Sequence, residues 1–442
     1  MNTPICDFVR QYNESSTLRL HMPGHKGKGC LGIEGLDITE IAGADSLYEA
    51  DGIIRRSEEN ASRLFWCPTF YSTEGSSQCI RAMLYLCLLH AKRTGKRPLI
   101  AAGRNAHKVL LSAAALLGMD IEWLYPEDGS SYLSCAITAE GLDQALSNMS
   151  EKPVAVFVTS PDYLGNMLDI FALAEVAHNH SCLLAVDCAH GAYLHFMPPS
   201  MHPMALDADL CCSSAHKTLP VLTGGAYLHT TRALQSEAKR ALALFGSTSP
   251  SYLILQSLDE ANAILIEDYK YQLPPTASLI TLYKTRLSEA GFRIIGDEPL
   301  KLTIDAKAYG YTGVDLARLL RQMGIECEFS DPDYLVLMVT PETGAAGLRQ
   351  LEDALTAIPQ RPPLTERPPR FHKPQRILSI REAMLSPSEC IPVSESQGRI
   401  LAAATVGCPP AVPIIVCGEQ IDTETIERFR YYGIDTCWVV SE

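Results

Sequence analysis

From about residue 75 the apolar positions alternate between helical spacing and short continuous runs. This rhythm predicts helices over 75–92, 106–117 and 170–178. Between them it predicts strands over 99–102, 154–159 and 182–186, one ending near 213 and one over 225–229. Strands that are apolar throughout, separated by amphipathic helices, imply an α/β fold with a mostly parallel sheet covered by helices on both faces. Active sites in such sheets gather at the carboxyl ends of the strands. Residues 20–60, rich in Gly, His and charge with little periodicity, read as an extended arm plus loops.

Beyond about Tyr271 the pattern changes. A strand over 302–304, a helix over 314–323, a strand over 334–339 and a helix over 346–355 fit a small α/β domain. Six prolines in the sixteen residues 359–374 mark an extended linker. The expected organisation is an N-terminal arm and loops (1–60), a large α/β domain (61–272), a small α/β domain (273–358), the linker (359–374) and a C-terminal domain (375–442).

Composition narrows the class. With 442 residues, 47% hydrophobic and 20% charged, the chain can bury a sizeable core and is not disordered. A formal net charge of -14 and the lack of any basic run argue against a nucleic-acid partner. No charged leader followed by an apolar run and no stretch near ~18 apolar residues is present, so no membrane span is expected and a cytoplasmic enzyme is. The fifteen cysteines show no repeated metal-type spacing. They read as small buried apolar residues, and no metal is expected.

Four segments carry candidate chemistry. Ser213-Ser214-Ala215-His216-Lys217-Thr218 follows an apolar strand and puts a lysine where a buried strand opens into a loop. Lys217 is either a strand-end amine reaching solvent or a desolvated Schiff-base lysine, flanked by hydroxyls and an imidazole suited to a phosphate. Asp187 closes another buried strand thirty positions upstream. It is a turn cap, or the carboxylate that keeps a pyridoxal-phosphate ring nitrogen protonated. Ser72 to Ser77 precede a helix, where Gly75, Ser76 and Ser77 form either a phosphate site or an ordinary serine cap. His107, at the start of the helix after strand 99–102, is a cap or a ring that stacks on a cofactor.

In this order, HMPGHKG (21–27), STEGSS (72–77), RNAHK (104–108), SPDYLG (160–165), DCAHGAY (187–193), SSAHKTL (213–219) and STSPSYLILQSLD (247–259) resemble the Orn/Lys/Arg decarboxylase family. Gly398-Arg399 and Cys408-Pro409-Pro410 through Gly418-Glu419 extend the resemblance, more weakly, into the family's C-terminal domain. It implies the aspartate-aminotransferase fold with pyridoxal 5'-phosphate as cofactor. Lys217 would be the aldimine lysine, Asp187 the partner of the pyridine nitrogen and His107 the stacking ring. Gly75, Ser76, Ser77, Ser214 and His216 would serve the phosphate, and His190 would lie beside the cofactor. The site of this fold lies at a dimer interface, so Thr248 or Ser249 would reach the phosphate of a neighbouring subunit. His21, His25 and Glu74 would lie near the substrate entrance. The chain begins almost at HMPGHKG and so resembles the short members of the family. It departs at Glu74, where Asn is common, at Cys79 for Gly, at Cys188 for an acid and at Gly224 for Gln.

The expected reaction is decarboxylation of a basic amino acid, arginine ahead of lysine and ornithine, to an amine and carbon dioxide. The rivals are transamination or a lyase step, and a cofactor-binding protein without turnover. An aminotransferase would hold the α-carboxylate with an arginine; Arg318 and Arg321 on the helix over 314–323 are candidates, with a solvated helix arginine as the competing reading. A cationic substrate would need acids at the mouth, and Glu74, Asp162, Glu326 and Glu328 are candidates with a surface position as the competing reading.

Overall fold

The structure, a computed structural model, describes residues 1–126, 131–370, 372–404 and 410–441. Cys408 and Pro409 of the tail motif lie outside the described residues. The chain packs as two compact units, residues 1–94 with 183–273 and residues 95–182 with 274–442.

In the first unit the buried strand Leu183–Asp187 runs parallel to Leu210–Ser213, with Asp187 opposite Cys212. Leu210–Ser213 then pairs antiparallel with Ala226–Thr230, and that strand antiparallel with Thr69–Ser72. A parallel partner requires a long crossover, usually a helix. Residues 214–225 hold only the four-residue helical turn Ala215–Thr218, so the chain turns straight back and Lys217 is fixed at the strand end. The helix Gly75–Thr94 buries Gln78, Cys79, Ile80, Met83 and Leu84 among others.

In the second unit the strands Leu99–Gly103, Asp120–Leu124 and Ala155–Thr159 are parallel, with Leu99–Gly103 in the middle. The helices Lys108–Leu117, Ala139–Asn148 and Ile170–Asn179 alternate with them. The same unit holds an antiparallel sheet of Phe329–Ser330, Tyr334–Met338, Lys301–Asp305 and Arg293–Ile295, with helices Gly313–Gln322 and Gly344–Thr356. Its three-stranded sheet runs Ser388–Pro392, Thr436–Val440, Leu401–Ala403. The mixed α/β architecture with mainly parallel strands covered by helices is the one the apolar rhythm predicts.

Three local readings need correction. The arm expected over 20–60 ends in the helix Ile53–Phe65, and the helix Pro4–Glu14 precedes it. Both helices are capped from a distance. Asp45 Oδ2 accepts from the backbone N–H of Gly52 at 2.8 Å and Ile54 at 3.0 Å. Asp259 Oδ2 accepts from the N–H of Ile5 at 2.8 Å and Cys6 at 3.0 Å, across 254 and 253 residues of chain. The change of pattern placed near Tyr271 falls inside the helix Lys270–Glu289, which continues through Pro274 and Pro275 after a π turn over Leu265–Tyr269. The cysteines are not uniformly buried, since Cys30 and Cys390 are exposed and Cys67 and Cys327 half-buried.

Asp259 is fully buried, and its other oxygen accepts from Ser57 Oγ at 2.5 Å. Asp259→Ala leaves the buried N–H groups of Ile5 and Cys6 unmet, Ser57 Oγ still having Tyr71 Oη at 2.7 Å, and is expected to cost about 3 kcal/mol. Thermal melting together with loss of amide-exchange protection over 4–14 measures it; unchanged protection there would remove Asp259 as the cap.

Three imidazoles, His195, His202 and His229, are buried around Phe65, with ring centroids 5.3, 5.8 and 4.8 Å from it. Cys188, Cys211 and His202 bring two thiols and an imidazole nitrogen within 4.8 Å of one another. His202 Nδ1, however, accepts from the N–H of Met204 at 3.4 Å. The neutral ring therefore carries its proton on Nε2, the atom that faces Ser213 Oγ at 3.4 Å and Cys211 Sγ at 4.0 Å, and is not set to ligate an ion.

Candidate active site

Two neighbouring strand ends and the turn between strands build the site in the first unit. Lys217 is half-buried, and its Nζ lies 3.1 Å from Nε2 of the buried His190. Asp187 is 3% exposed. Its Oδ1 accepts from the N–H of Ala189 at 3.2 Å and from Cys212 Sγ at 3.4 Å. Burial pushes the Asp187 carboxyl up, while the charge of Lys217 and these two bonds pull it down. Both bonds fall on the same oxygen, so Oδ2 is left for a further donor.

A second group of residues converges beside Lys217. Gly75, at φ +69°, gives its N–H to Gly224 O at 2.7 Å, and His216 Nδ1 meets Gly225 O at 2.9 Å. A Cβ on Gly75 would stand 3.9 Å from His216 Cε1. Gly224 itself sits at φ +102°, and a Cβ there would be 2.9 Å from Thr73 O. Only glycine suits that close approach, which explains locally one departure from the family pattern. Ser76 and Ser77 occupy the first turn of Gly75–Thr94, where backbone N–H groups lack intrahelical acceptors. Among the described residues, neither their hydroxyls nor that of the buried Ser214 has a hydrogen-bond partner.

The remaining residues stand as follows. His107 belongs to the second unit, where its Nδ1 accepts from the N–H of Val109 at 3.2 Å and caps Lys108–Leu117. The stacking role rests on the resemblance. His21 Nε2 meets Tyr12 Oη at 2.6 Å and His25 Nε2 meets Asp37 Oδ2 at 3.3 Å, so both arm imidazoles are engaged within the arm. Thr248 and Ser249 are exposed, just after Ser247, whose N–H donates to Glu74 Oε1 at 2.6 Å. Asp162 is a correction to the surface reading, being 3% exposed and held by Leu164 N, Asn166 N and Asn166 Nδ2 at 2.9 Å each. Arg321 is exposed and paired with Glu326 at 2.7 Å, and Arg318 with Asp315 at 2.8 Å. Cys212 and Gln78 were missed. Gln78 is buried and ties Ser72 Oγ at 2.6 Å to Tyr48 Oη at 2.8 Å. The signal for Cys212 was its position, since strand alternation puts it on the face opposite Cys211 and level with Asp187.

The chain is similar to known proteins along most of its length. Residues 3–275 match the Orn/Lys/Arg decarboxylase major domain, and residues 372–435 match the C-terminal domain of the same family. Arginine decarboxylase of Bacillus subtilis is 29% identical over 96% of this chain and 92% of that protein. Arginine decarboxylase of Bacillus anthracis is 28% identical over 97% and 92%. The structure of the constitutive lysine decarboxylase of E. coli superposes with a TM-score of 0.80 at 17% identity, covering 100% of this chain and 82% of that one. At that identity the superposition shows the shared fold.

Proposed function

Because the chain belongs to the Orn/Lys/Arg decarboxylase family, we propose that it is a pyridoxal-phosphate enzyme releasing carbon dioxide from a basic amino acid, with arginine ahead of lysine and ornithine. The observation that carries this reading is Lys217 Nζ at 3.1 Å from His190 Nε2, next to the buried carboxylate of Asp187 on the adjacent strand end.

The residues present fit the cofactor. A buried carboxylate pushed toward its neutral form, with one oxygen unused, suits a cationic ring nitrogen better than an empty apolar wall does. The unused hydroxyls of Ser76, Ser77 and Ser214, the first-turn N–H groups after Gly75, and His216 suit a phosphate. When bound, pyridoxal phosphate supplies an electron sink for the pair left at Cα as the carboxylate departs. Asp187 would keep the proton on the ring nitrogen. Lys217 would hold the cofactor and give way to the substrate's amine, and His190, beside Nζ, can take or return a proton there. His107 would stack on the ring, as the resemblance assigns.

The aminotransferase alternative needs an arginine for the α-carboxylate, and both candidates are exposed and paired with carboxylates of their own segment. The arginine preference draws on the names of the bacillar relatives. Free thiols at all fourteen described cysteines accord with the cytoplasm, and no described helix is long and apolar enough to cross a membrane.

The direct test is carbon dioxide release from L-arginine, L-lysine, L-ornithine and neutral amino acids with added pyridoxal phosphate. Arginine should give the highest kcat/KM. Release from none of the three, by protein that binds the cofactor, would overturn the activity.

The proposed active unit is a homodimer in which the exposed Thr248 and Ser249 serve the phosphate of the other copy. Mixing inactive Lys217→Ala chains with Thr248→Ala, Ser249→Ala chains should restore partial activity, because one site per mixed dimer is then intact. No recovery after confirmed exchange of subunits would end the shared-site reading.

A further inference from the structure

The turn that carries His107 is held from outside by the C-terminal part of the chain. It spans only residues 104–107, between the strand Leu99–Gly103 and the helix Lys108–Leu117. Arg104, three positions before His107, is 2% exposed. Its Nη1 donates to Pro413 O at 3.1 Å, and its Nη2 to Ile414 O at 3.2 Å and to Glu419 Oε2 at 3.3 Å. On the other side of His107, the N–H of Lys108 donates to Ala411 O at 2.8 Å. Both flanks of the imidazole are thus tied to one segment, 411–419, which lies in the same unit of the fold.

That segment is itself fixed. Glu419 is 3% exposed, and its Oε2 also accepts from the N–H of Val416 at 2.7 Å. Its backbone C=O accepts from the N–H of Leu401 at 3.0 Å, and its N–H donates to Val416 O at 3.1 Å. One carboxylate oxygen therefore holds both the bend at Val416 and the guanidinium, whose fork meets the carbonyls of Pro413 and Ile414. The turn's own frame is smaller. It consists of Arg104 N–H to Leu124 O at 3.0 Å, Ala106 N–H to Gly103 O at 3.1 Å, and His107 Nδ1 accepting from Val109.

A buried ion pair adds little to stability over packed apolar side chains, because desolvating both charges offsets their attraction. What a guanidinium fork on three oxygens adds is direction, since it sets angle as well as distance. We propose that Arg104 and Glu419 are positioning residues for His107, and that the segment 411–419 is a working part of the active-site frame. The proposal rests on the reading of His107 as the ring that stacks on pyridoxal phosphate. Stacking depends on the offset and tilt of the two rings. Freeing one flank of the turn should therefore weaken it, although neither Arg104 nor Glu419 is assigned any contact with the cofactor.

The experiment titrates the full chain, stripped of cofactor, with pyridoxal phosphate and records the visible circular dichroism of the bound cofactor. The variants are His107→Ala, Glu419→Ala, the two together, and Glu419→Gln. His107→Ala and Glu419→Ala should each weaken binding by about tenfold and reduce the visible dichroism. The double variant should bind no more weakly than His107→Ala, because Glu419 acts through the imidazole and then has nothing to act on. Glu419→Gln keeps an acceptor oxygen for Val416 and Arg104 and should restore most of the affinity.

A contribution to the fold alone would leave affinity unchanged in Glu419→Ala or would add to the loss from His107→Ala, and either result would overturn the proposal. If Glu419→Ala fails to fold, Arg104→Lys takes its place in the same cycle, since it keeps the charge beside Glu419 but not the fork. No loss in His107→Ala would remove the stacking reading and this proposal together. A loss there with none in Glu419→Ala would remove the proposal alone. Non-additive losses in a chain that binds cofactor but releases no carbon dioxide would uphold the proposal and overturn the proposed activity.

Discussion

Lys217→Ala is expected to lower carbon dioxide release by at least about a thousandfold while leaving the melting temperature near that of the wild type. The large effect follows from losing the amine proposed as both covalent anchor and proton carrier, a combined role whose removal is not offset by the neighbours. The small effect on stability follows because Lys217 is half-buried in a four-residue turn and its Nζ contact is to His190, not to a core hydrogen-bond ladder. Asp187→Ala should behave differently. The residues proposed for the phosphate are intact there, so cofactor should be retained, yet the proposed charge-assisted bond to the ring nitrogen is lost and turnover should fall by about a hundredfold or more. Borohydride treatment of wild type followed by peptide mapping should place the fixed adduct on Lys217. An adduct elsewhere, or substantial turnover in Lys217→Ala, would show that another lysine does the work.

Acid should destabilise the fold through His195, His202 and His229 before ordinary carboxylates titrate. Burial holds His195 down to about 4 and His229 to about 3, and His202 well below its usual value, with the neighbouring imidazoles adding to the effect on His202. In the unfolded chain each takes up a proton near 6.5. Below that pH the unfolded state binds more protons, so stability is full above about 6.5 and is lost as pH falls, a loss complete for His195 near pH 4. Among the described residues no carboxylate hydrogen-bonds to any of the three; their partners are Thr69, Cys67, Ser213, Cys211 and the backbone of Met204 and Leu64. Buried carboxyls that are pushed up, such as Asp331, act with the opposite sign, so the measure is a difference between proteins. His195→Phe, whose new ring can pack on Phe65 and Trp66, should lose roughly 3 kcal/mol less than wild type between pH 7 and pH 4. Denaturant unfolding at pH 7, 6, 5 and 4 reads this, and parallel curves for the two proteins would refute it.

The parts of the fold that were legible in the sequence are those whose signal is local. Strands such as Leu183–Asp187 and Leu210–Ser213 are apolar runs, and the motifs around Lys217 and Asp187 fall at their ends, so the site's strand-end residues could be read together. The helices Pro4–Glu14 and Ile53–Phe65 were hidden because their capping carboxylates, Asp259 and Asp45, stand 254 residues and up to ten residues from the N–H groups they cap. No N-cap search finds such a partner. Asp162 was misplaced on the surface because a charge in a loop normally is exposed, whereas here three N–H donors within four residues make burial tolerable. Cys212 was hidden by treating cysteine as an apolar residue, although its thiol is one of the two donors that fix the Asp187 carboxylate.

The dependence of the first helix on Asp259 also orders events during synthesis. At ribosomal rates of about 5–20 residues per second, the 254 residues between Ile5 and Asp259 take roughly 13–50 s to make. Throughout that interval the segment 4–14 lacks the carboxylate that closes its first turn. The other stretch of its unit, 183–273, is likewise still unmade for much of that time. The first helix to leave the ribosome is therefore among the last to be completed, and for that period its buried face of Ile5, Cys6 and Val9 is a surface for chaperones to shield.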